Sequence, residues 1–262
     1  MRNRYSATLL LCLLGAGASA PIVHAEVDAT AARVAQPPGA NAAPPEGALS
    51  PATGSPQRRA AEEGLAALAA RLPASAPAAR SSRVFDVDDY RALRDATLGE
   101  GFETYLVDPH ALLSGRRVDQ SLYGSGEWRF VVMAHGKAVG LITVARVNGQ
   151  WSMVEAGASE LAGEVASVAA QYENQAQRPR LRFVRSLQAV ADFIEVSTEN
   201  TSAAAPAGEA FYVPLLSART LLGRAQERGE SASPERALPE TELGDALRVS
   251  VRRGLIDPKF AH

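Results

Sequence analysis

Apolar and polar residues alternate most regularly in the middle of the chain. The segments 127–134, 138–147 and 150–156 show the period of two that is typical of β-strands. Asn148-Gly149 separates the last two segments. This dipeptide favours a two-residue hairpin, because a type I′ turn needs a positive φ at both of its central positions. The pattern therefore predicts three consecutive antiparallel strands.

The turns of this meander decide which side chains share a sheet face. A two-residue loop at Asn-Gly places Arg146 opposite Trp151, and Ile142 opposite Glu155. The earlier turn, around Gly136, has two alternatives. A three-residue loop brings both tryptophans of the chain to one face, whereas a two-residue loop separates them. We expect the three-residue loop, because it gathers the tryptophans in one apolar core.

After the meander, the apolar spacing changes to that of a helix and then returns to that of strands. Residues 159–174 carry an apolar stripe at helical spacing and begin with Ser159, a favourable N-cap. Three strand-like segments follow, in LRFVRSL, ADFIEVST and EAFYVPL. We expect the long helix to pack across the sheet face that carries the tryptophans, because this is the strongest apolar face.

These elements predict the α+β class, with a curved antiparallel sheet of about five to six strands and a long helix packed on one face. The order of the elements is similar to that of cystatin-like rolls, and no residue motif links the chain to a family. We place the globular domain at residues 83–228. Residues 229–262 are interpreted as a polar tail with a short helix or an added strand at 244–256.

The N-terminal part of the chain has a different composition. Residues 1–25 combine early arginines, a short apolar run and small residues before Glu26, which predicts a secretory signal peptide. Residues 26–82 are rich in alanine and proline and predict a disordered leader. Within the leader, residues 58–72 place three leucines on one helical face, as a marginal helix or as a helix that docks on the domain. Export to the periplasm or out of the cell follows from the signal peptide.

Cysteine content and charge exclude several classes of function. Cys12, the only cysteine, lies within the predicted signal peptide, so the mature chain would contain no thiol and no disulfide. Loss of Arg2 and Arg4 would change the formal net charge from −2 to about −4. No basic stripe indicates nucleic-acid binding. After the signal peptide, no apolar run reaches the roughly 18 residues that an integral membrane span requires.

The sequence predicts no metal site, no cofactor and no catalytic residue. The histidines are scattered and lack the spacing of a helical metal site. Ser125 lies between glycines, but Tyr123 stands where a nucleophile elbow needs a glycine, so a turn before a strand is the simpler interpretation. A serine hydrolase would use His110 as its base and a carboxylate such as Asp108 to orient that base.

Four residues are candidates for binding a ligand or partner. Arg146 and Trp151 form a cross-strand cation–π pair, which either lines a ligand-facing rim or fixes the hairpin register. The other two are His135, in a turn, and Tyr123, in a glycine-rich segment. We therefore expect an exported, non-catalytic envelope protein whose α+β domain binds a protein partner or a small ligand. The alternative is a secreted or periplasmic hydrolase that uses Ser125 and His110.

Overall fold

The computed structural model describes residues 53–173, 179–197, 210–227 and 236–256. Its strands are β1 (Thr97–Val107), β2 (Leu122–Ala134), β3 (Lys137–Val147), β4 (Gln150–Gly157), β5 (Arg180–Ser186), β6 (Ala191–Ser197), β7 (Ala210–Pro214) and β8 (Leu238–Pro239). Its α-helices are α1 (Pro56–Arg71), α2 (Pro109–Leu113), α3 (Ser159–Glu173), α4 (Leu216–Glu227) and α5 (Glu240–Ile256). The mixed α+β class is confirmed. The predicted signal peptide and the first half of the predicted leader lie outside the described residues.

The described strands form one eight-stranded sheet in the order β4-β3-β2-β1-β5-β6-β7-β8. Neighbouring strands are antiparallel except for β1 and β5, which run parallel. The expectation of five to six strands, all antiparallel, is therefore wrong in number and in this one pairing. The connection from β4 to β5 runs through α3, and such a crossover lets β5 enter the sheet beside β1 in a parallel direction.

Both tryptophans lie on one sheet face, as expected, but a different turn brings them there. β2 and β3 are joined by a two-residue turn, His135-Gly136, with φ angles of 50° and 74°. A bulge beside Met133 supplies the residue that the shorter turn lacks, so Trp128 still pairs with Val144. A one-residue slip would move every side chain of the strand to the other face, and the bulge prevents this.

The β3–β4 hairpin has the predicted turn but not the whole predicted register. Asn148 and Gly149 have φ angles of 51° and 82°, and the pairing predicted next to the turn is confirmed. Farther along, a bulge places Glu155 opposite Thr143 instead of opposite Ile142, so that prediction is wrong. The bulge turns Glu155 away from the tryptophan face and towards the other face of the sheet.

One face of the sheet packs against α3, and we call it the α3 face. Buried residues of the helix and of the strands form one apolar cluster there, comprising Ala162, Val165 and Val168 with Phe102, Val131, Leu141, Phe183, Ile194 and Val196. Trp128 and Trp151 lie on the opposite face, against a different cluster. The expectation that the long helix covers the tryptophans is therefore wrong.

Helix α1 covers the tryptophan side of the opposite face. It begins after the N-cap Ser55 and buries Ala60, Ala61, Leu65 and Ala69. Gly64 permits a close approach to the sheet, because a Cβ atom at this position would lie 2.6 Å from the Cβ of Met153. The segment assigned to the leader at 58–72 thus docks as a helix, and the folded part begins before residue 83.

Helices α4 and α5 cover the rest of the opposite face. Helix α5 is longer than the short element expected at 244–256, and it buries Leu243, Leu247 and Val251 against Tyr212 and Leu238. The segment interpreted as a tail therefore contributes to the core. Among the described helices, none combines the length and apolar character that crossing a membrane would require.

Candidate functional site

The residues that the sequence selected for binding do not converge on one site. Arg146 and Trp151 do lie together, with the guanidinium carbon 5.4 Å from the centre of the indole ring system. Trp151 also packs against the apolar cluster under α1. His135 is exposed in the turn at one end of β2, whereas the half-exposed Tyr123 lies near the other end of that strand. These positions are separate candidates.

The residues of the hydrolase alternative take part in local hydrogen bonds. The Ser125 hydroxyl accepts a hydrogen bond from the backbone N–H of Glu127 at 3.1 Å. Asp108 caps α2, since its carboxylate accepts hydrogen bonds from the backbone N–H groups of His110 and Ala111 at 2.8 and 3.2 Å. No hydrogen bond between described residues joins Ser125 to His110. The carboxylate that would orient the base serves the helix instead.

Polar side chains gather on the α3 face where β2, β3 and β4 run side by side. Arg129 of β2 pairs with Thr143 of β3, which in turn pairs with Glu155 of β4. Glu127 precedes Arg129 by two residues and therefore points to the same face. We call the following six residues of this region the polar patch: Glu127, Arg129, Thr143, Ala145, Ser152 and Glu155.

Arg129 is the most deeply buried charged group of the patch. It is 6% exposed, and its guanidinium carbon lies 4.8 Å from the centre of the Phe183 ring. Its Nε atom is sealed from solvent without a hydrogen-bond partner. Within the described ranges, no oxygen accepts a hydrogen bond from its terminal nitrogens and no carboxylate lies at ion-pair distance. Buried charges in proteins are normally paired, because an unpaired one is costly to desolvate.

Arg185 stacks on the same ring but has an internal partner. Its guanidinium carbon lies 5.6 Å from the centre of the Phe183 ring. It donates hydrogen bonds to both carboxylate oxygens of Asp192, at 2.6 and 3.1 Å. Asp192 also accepts a hydrogen bond from the Ser217 hydroxyl at 3.4 Å. The charge of Arg185 is therefore neutralised within the protein.

The pKa shifts of the two arginines have opposite signs. Burial lowers the pKa of the Arg129 guanidinium, and the positive charge of Arg185 lowers it further. The carboxylates of Glu155, Asp192 and Glu127 oppose this shift from beyond contact distance and do not reverse it. Burial also lowers the pKa of Arg185, but the hydrogen bonds and charge of Asp192 outweigh burial, and the net shift is upward.

The two carboxylates of the patch complete its charge pattern. Thr143 donates its hydroxyl to Glu155 at 3.4 Å, and neither Glu127 nor Glu155 forms an ion pair with any described residue. Ala145 and Ser152 pair across β3 and β4 beside these carboxylates, and both have short, half-buried side chains. The patch thus combines the buried cation of Arg129, the two carboxylates of Glu127 and Glu155, and the short side chains of Ala145 and Ser152.

The α3 face is not completely filled. A groove of about 570 Å³ reaches Asp192, the partner of Arg185, and Asp192 and Ser217 line it together with Ser159 and Glu164 of α3. A second cavity, of about 260 Å³, lies between α3 and the start of β1. Its lining is mainly apolar and consists of Gly99, Glu100, Val131, Met133, Ala166, Ala169, Ala170, Tyr172, Glu173, Pro179 and Leu181.

A second arginine, Arg182, lies on the opposite face in a different environment, and its side chain is 19% exposed. Arg182 stacks on Tyr105, with the guanidinium carbon 4.7 Å from the ring centre, and forms an ion pair with Glu195. Glu195 is 1% exposed, and its strand partner Tyr212 is fully buried. The Arg182 Nε, one Glu195 oxygen and the Tyr212 hydroxyl are sealed without partners. Burial lowers the pKa of Arg182, but Glu195 outweighs it and the net shift is upward.

Comparison of the chain with protein-family models, curated proteins and solved structures finds no match. Within the described residues, no group of three or more histidine, cysteine, aspartate or glutamate side chains is placed to hold a metal ion. The candidate site is therefore defined by the geometry and charges of the polar patch alone.

Sequence reasoning missed the polar patch, although a signal for it was present. Glu127 and Arg129 alternate with Trp128 and Phe130 in β2, so one face of this strand is charged near its middle. An arginine in the middle of an otherwise apolar strand is unusual for a core position. The neighbours of Arg129 depend on the two bulges and on β5, and no local sequence pattern predicts the bulges or the pairing of β5.

Proposed function

We propose that this chain is an exported, non-catalytic envelope protein whose α+β domain binds a small ligand, and that the ligand presents a carboxylate to Arg129. One observation supports this most strongly: Arg129 is 6% exposed and has no anionic partner among the described residues. A guanidinium can hold a carboxylate through two parallel hydrogen bonds. Export is proposed from the N-terminal pattern of the sequence.

The depth of Arg129 favours a small ligand over a protein partner. A stable protein interface buries about 800 Å² on each partner, whereas the Arg129 residue is only 6% exposed and admits only a slim group. Binding would offset part of the desolvation cost of the buried charge. Protein-partner binding, the hydrolase alternative and the cystatin-like roll stay predictions.

Acetate is the simplest probe of this proposal. We would follow the Nε–H resonances of the arginine side chains by NMR while titrating sodium acetate, with sodium chloride holding the ionic strength constant. The Arg129 resonance, assigned from its loss in Arg129→Met, should shift saturably with acetate. Chloride alone should not reproduce the shift, because it cannot make the paired hydrogen bonds of a carboxylate.

Arg182 and Arg185 serve as internal controls in the same spectra. Both are already paired with carboxylates, so their resonances should stay in place during the titration. A shift of all three resonances together would indicate a general salt effect and would contradict a site at Arg129. The absence of any shift at Arg129 would also contradict the proposal.

A further inference from the structure

We infer that the ligand of the polar patch is a small zwitterion of the α-amino acid class, whose carboxylate binds Arg129 and whose ammonium group lies between Glu127 and Glu155. This inference rests on the proposed function, because the carboxylate at Arg129 orients the rest of the molecule. It adds the chemical class of the ligand and assigns a role to two further residues.

The strand register places the three charged groups around one small area. Glu127 and Arg129 are two residues apart on β2, which corresponds to about 7 Å along a strand. Glu155 lies two strands away from Arg129, on β4, which corresponds to about 10 Å between backbones. All three side chains point to the α3 face, so their charged ends can meet one compact molecule that carries both signs of charge.

The local charge balance favours a zwitterion over a multiply charged anion. Arg129 and Arg185 contribute two positive charges, and Glu127, Glu155 and Asp192 contribute three negative charges. A phosphate or sulfate dianion would add negative charge beside three carboxylates and would be repelled. A zwitterion neutralises Arg129 and leaves the net charge unchanged. Its ammonium group also supplies a cation to carboxylates that have no ion-pair partner among the described residues.

The short side chains of the patch leave space for a compact ligand. Ala145 and Ser152 lie beside the charged groups and are both small and half-buried. The Thr143 hydroxyl donates to Glu155 and thereby holds one carboxylate over the patch. Because Arg129 and Glu155 are already held in place before the ligand arrives, less side-chain entropy is lost on binding.

Glycine, acetate and methylammonium test the carboxylate and the ammonium group of the zwitterion together and separately. Each would be titrated at neutral pH and constant ionic strength, with the Arg129 Nε–H resonance as the readout. We expect glycine to bind about tenfold more tightly than acetate, because one added charge-assisted hydrogen bond is worth about that factor. Methylammonium alone should leave the Arg129 resonance in place.

Three variants test the role of the carboxylates. Glu127→Gln and Glu155→Gln should each bring the affinity for glycine towards that for acetate, whereas acetate binding should not weaken, because each variant removes a negative charge beside the anion. Glu63→Gln, at an exposed position of α1, is the matched control and should change neither affinity. Amide replacements preserve size and hydrogen bonding, so loss of fold is not the expected cause of any change.

The outcomes distinguish this inference from the proposed function. Equal affinities for glycine and acetate, with Arg129 shifting in both titrations, would overturn the zwitterion and leave the carboxylate proposal standing. A glycine preference that survives both glutamine variants would also overturn it, because the ammonium group would then lie elsewhere. If neither probe shifts Arg129, both proposals fall.

Discussion

Two arginines on opposite faces of the sheet, the buried Arg129 and the half-buried Arg182, stack on aromatic rings at nearly equal distances of 4.8 and 4.7 Å. The Nε atom of each is sealed without a partner. The difference lies in the carboxylate: Arg182 is paired with Glu195, whereas Arg129 has no ion pair among the described residues. The pKa shift is accordingly upward for Arg182 and downward for Arg129.

Under the proposed function, this difference separates a structural arginine from one that is available to a ligand. A buried pair contributes to stability only as a unit, and removal of one partner leaves an uncompensated charge. A buried arginine without a partner lowers stability until an anion arrives. Departures from internal pairing of this kind are expected at functional sites, where stability is lost in exchange for binding.

The largest expected effect comes from breaking the Arg182–Glu195 pair. Glu195→Ala should lower the free energy of unfolding by about 3–5 kcal/mol, because Arg182 is then left charged and without its partner. Urea-induced unfolding measures this change. Glu63→Ala, at an exposed position of α1, is the control and should change the free energy by less than about 0.5 kcal/mol, as is usual for exposed positions. Equal losses in the free energy of unfolding for Glu195→Ala and for the control would contradict the claim that Arg182 needs Glu195 as its partner.

A smaller loss is expected when Arg185 loses its partner. Asp192→Ala should lower the free energy of unfolding by about 1–3 kcal/mol, because hydrogen bonds to a charged group are lost while Arg185 stays partly accessible to water. Urea-induced unfolding of Asp192→Ala and Glu195→Ala under identical conditions shows which variant loses more free energy of unfolding. If Asp192→Ala were the more damaging of the two, burial would not govern the cost of an unpaired arginine in this sheet.

The shared ring should have a still smaller effect. Phe183→Leu keeps an apolar side chain between the two arginines but removes the cation–π contacts, each worth about 0.5–1 kcal/mol or somewhat more when desolvated. We expect a loss of about 1–2 kcal/mol in the free energy of unfolding, measured with urea. A loss above about 4 kcal/mol would mean that Phe183 acts mainly as a core residue and not as a platform for the arginines.

The sequence predicts the local elements well, because their signals are local. The Asn148-Gly149 turn, the neighbouring register and the helix at Ser159–Glu173 all follow from turn chemistry and periodicity. The face of Trp128 was predicted correctly through an incorrect turn, because the bulge beside Met133 restores the register that the shorter loop would lose.

The docking of α1 and the pairing of β1 with β5 were not predicted, because both depend on contacts between residues that are distant in the sequence. Helix α1 has a weak apolar pattern that includes Gly64. This glycine lets the helix approach Met153 closely, and the sequence pattern of the helix does not show that contact. The parallel pairing of β1 with β5 brings Phe183 beside Arg129, although the two residues are far apart in the chain. The alternation in β2 therefore indicates only one strand of the candidate site, since the site also contains residues of β3 and β4 and packs against Phe183 of β5.

The most direct test compares Arg129→Met with Arg182→Met by urea-induced unfolding in a buffer free of carboxylates and amino acids. Methionine fills similar apolar space without charge. Arg129→Met should leave the free energy of unfolding unchanged or raise it by about 1–2 kcal/mol, because a buried charge without a partner is removed. Arg182→Met should lower it by about 3 kcal/mol, because Glu195 is left charged and buried. A loss of similar size in both variants would contradict the claim that Arg129 is held without an internal partner.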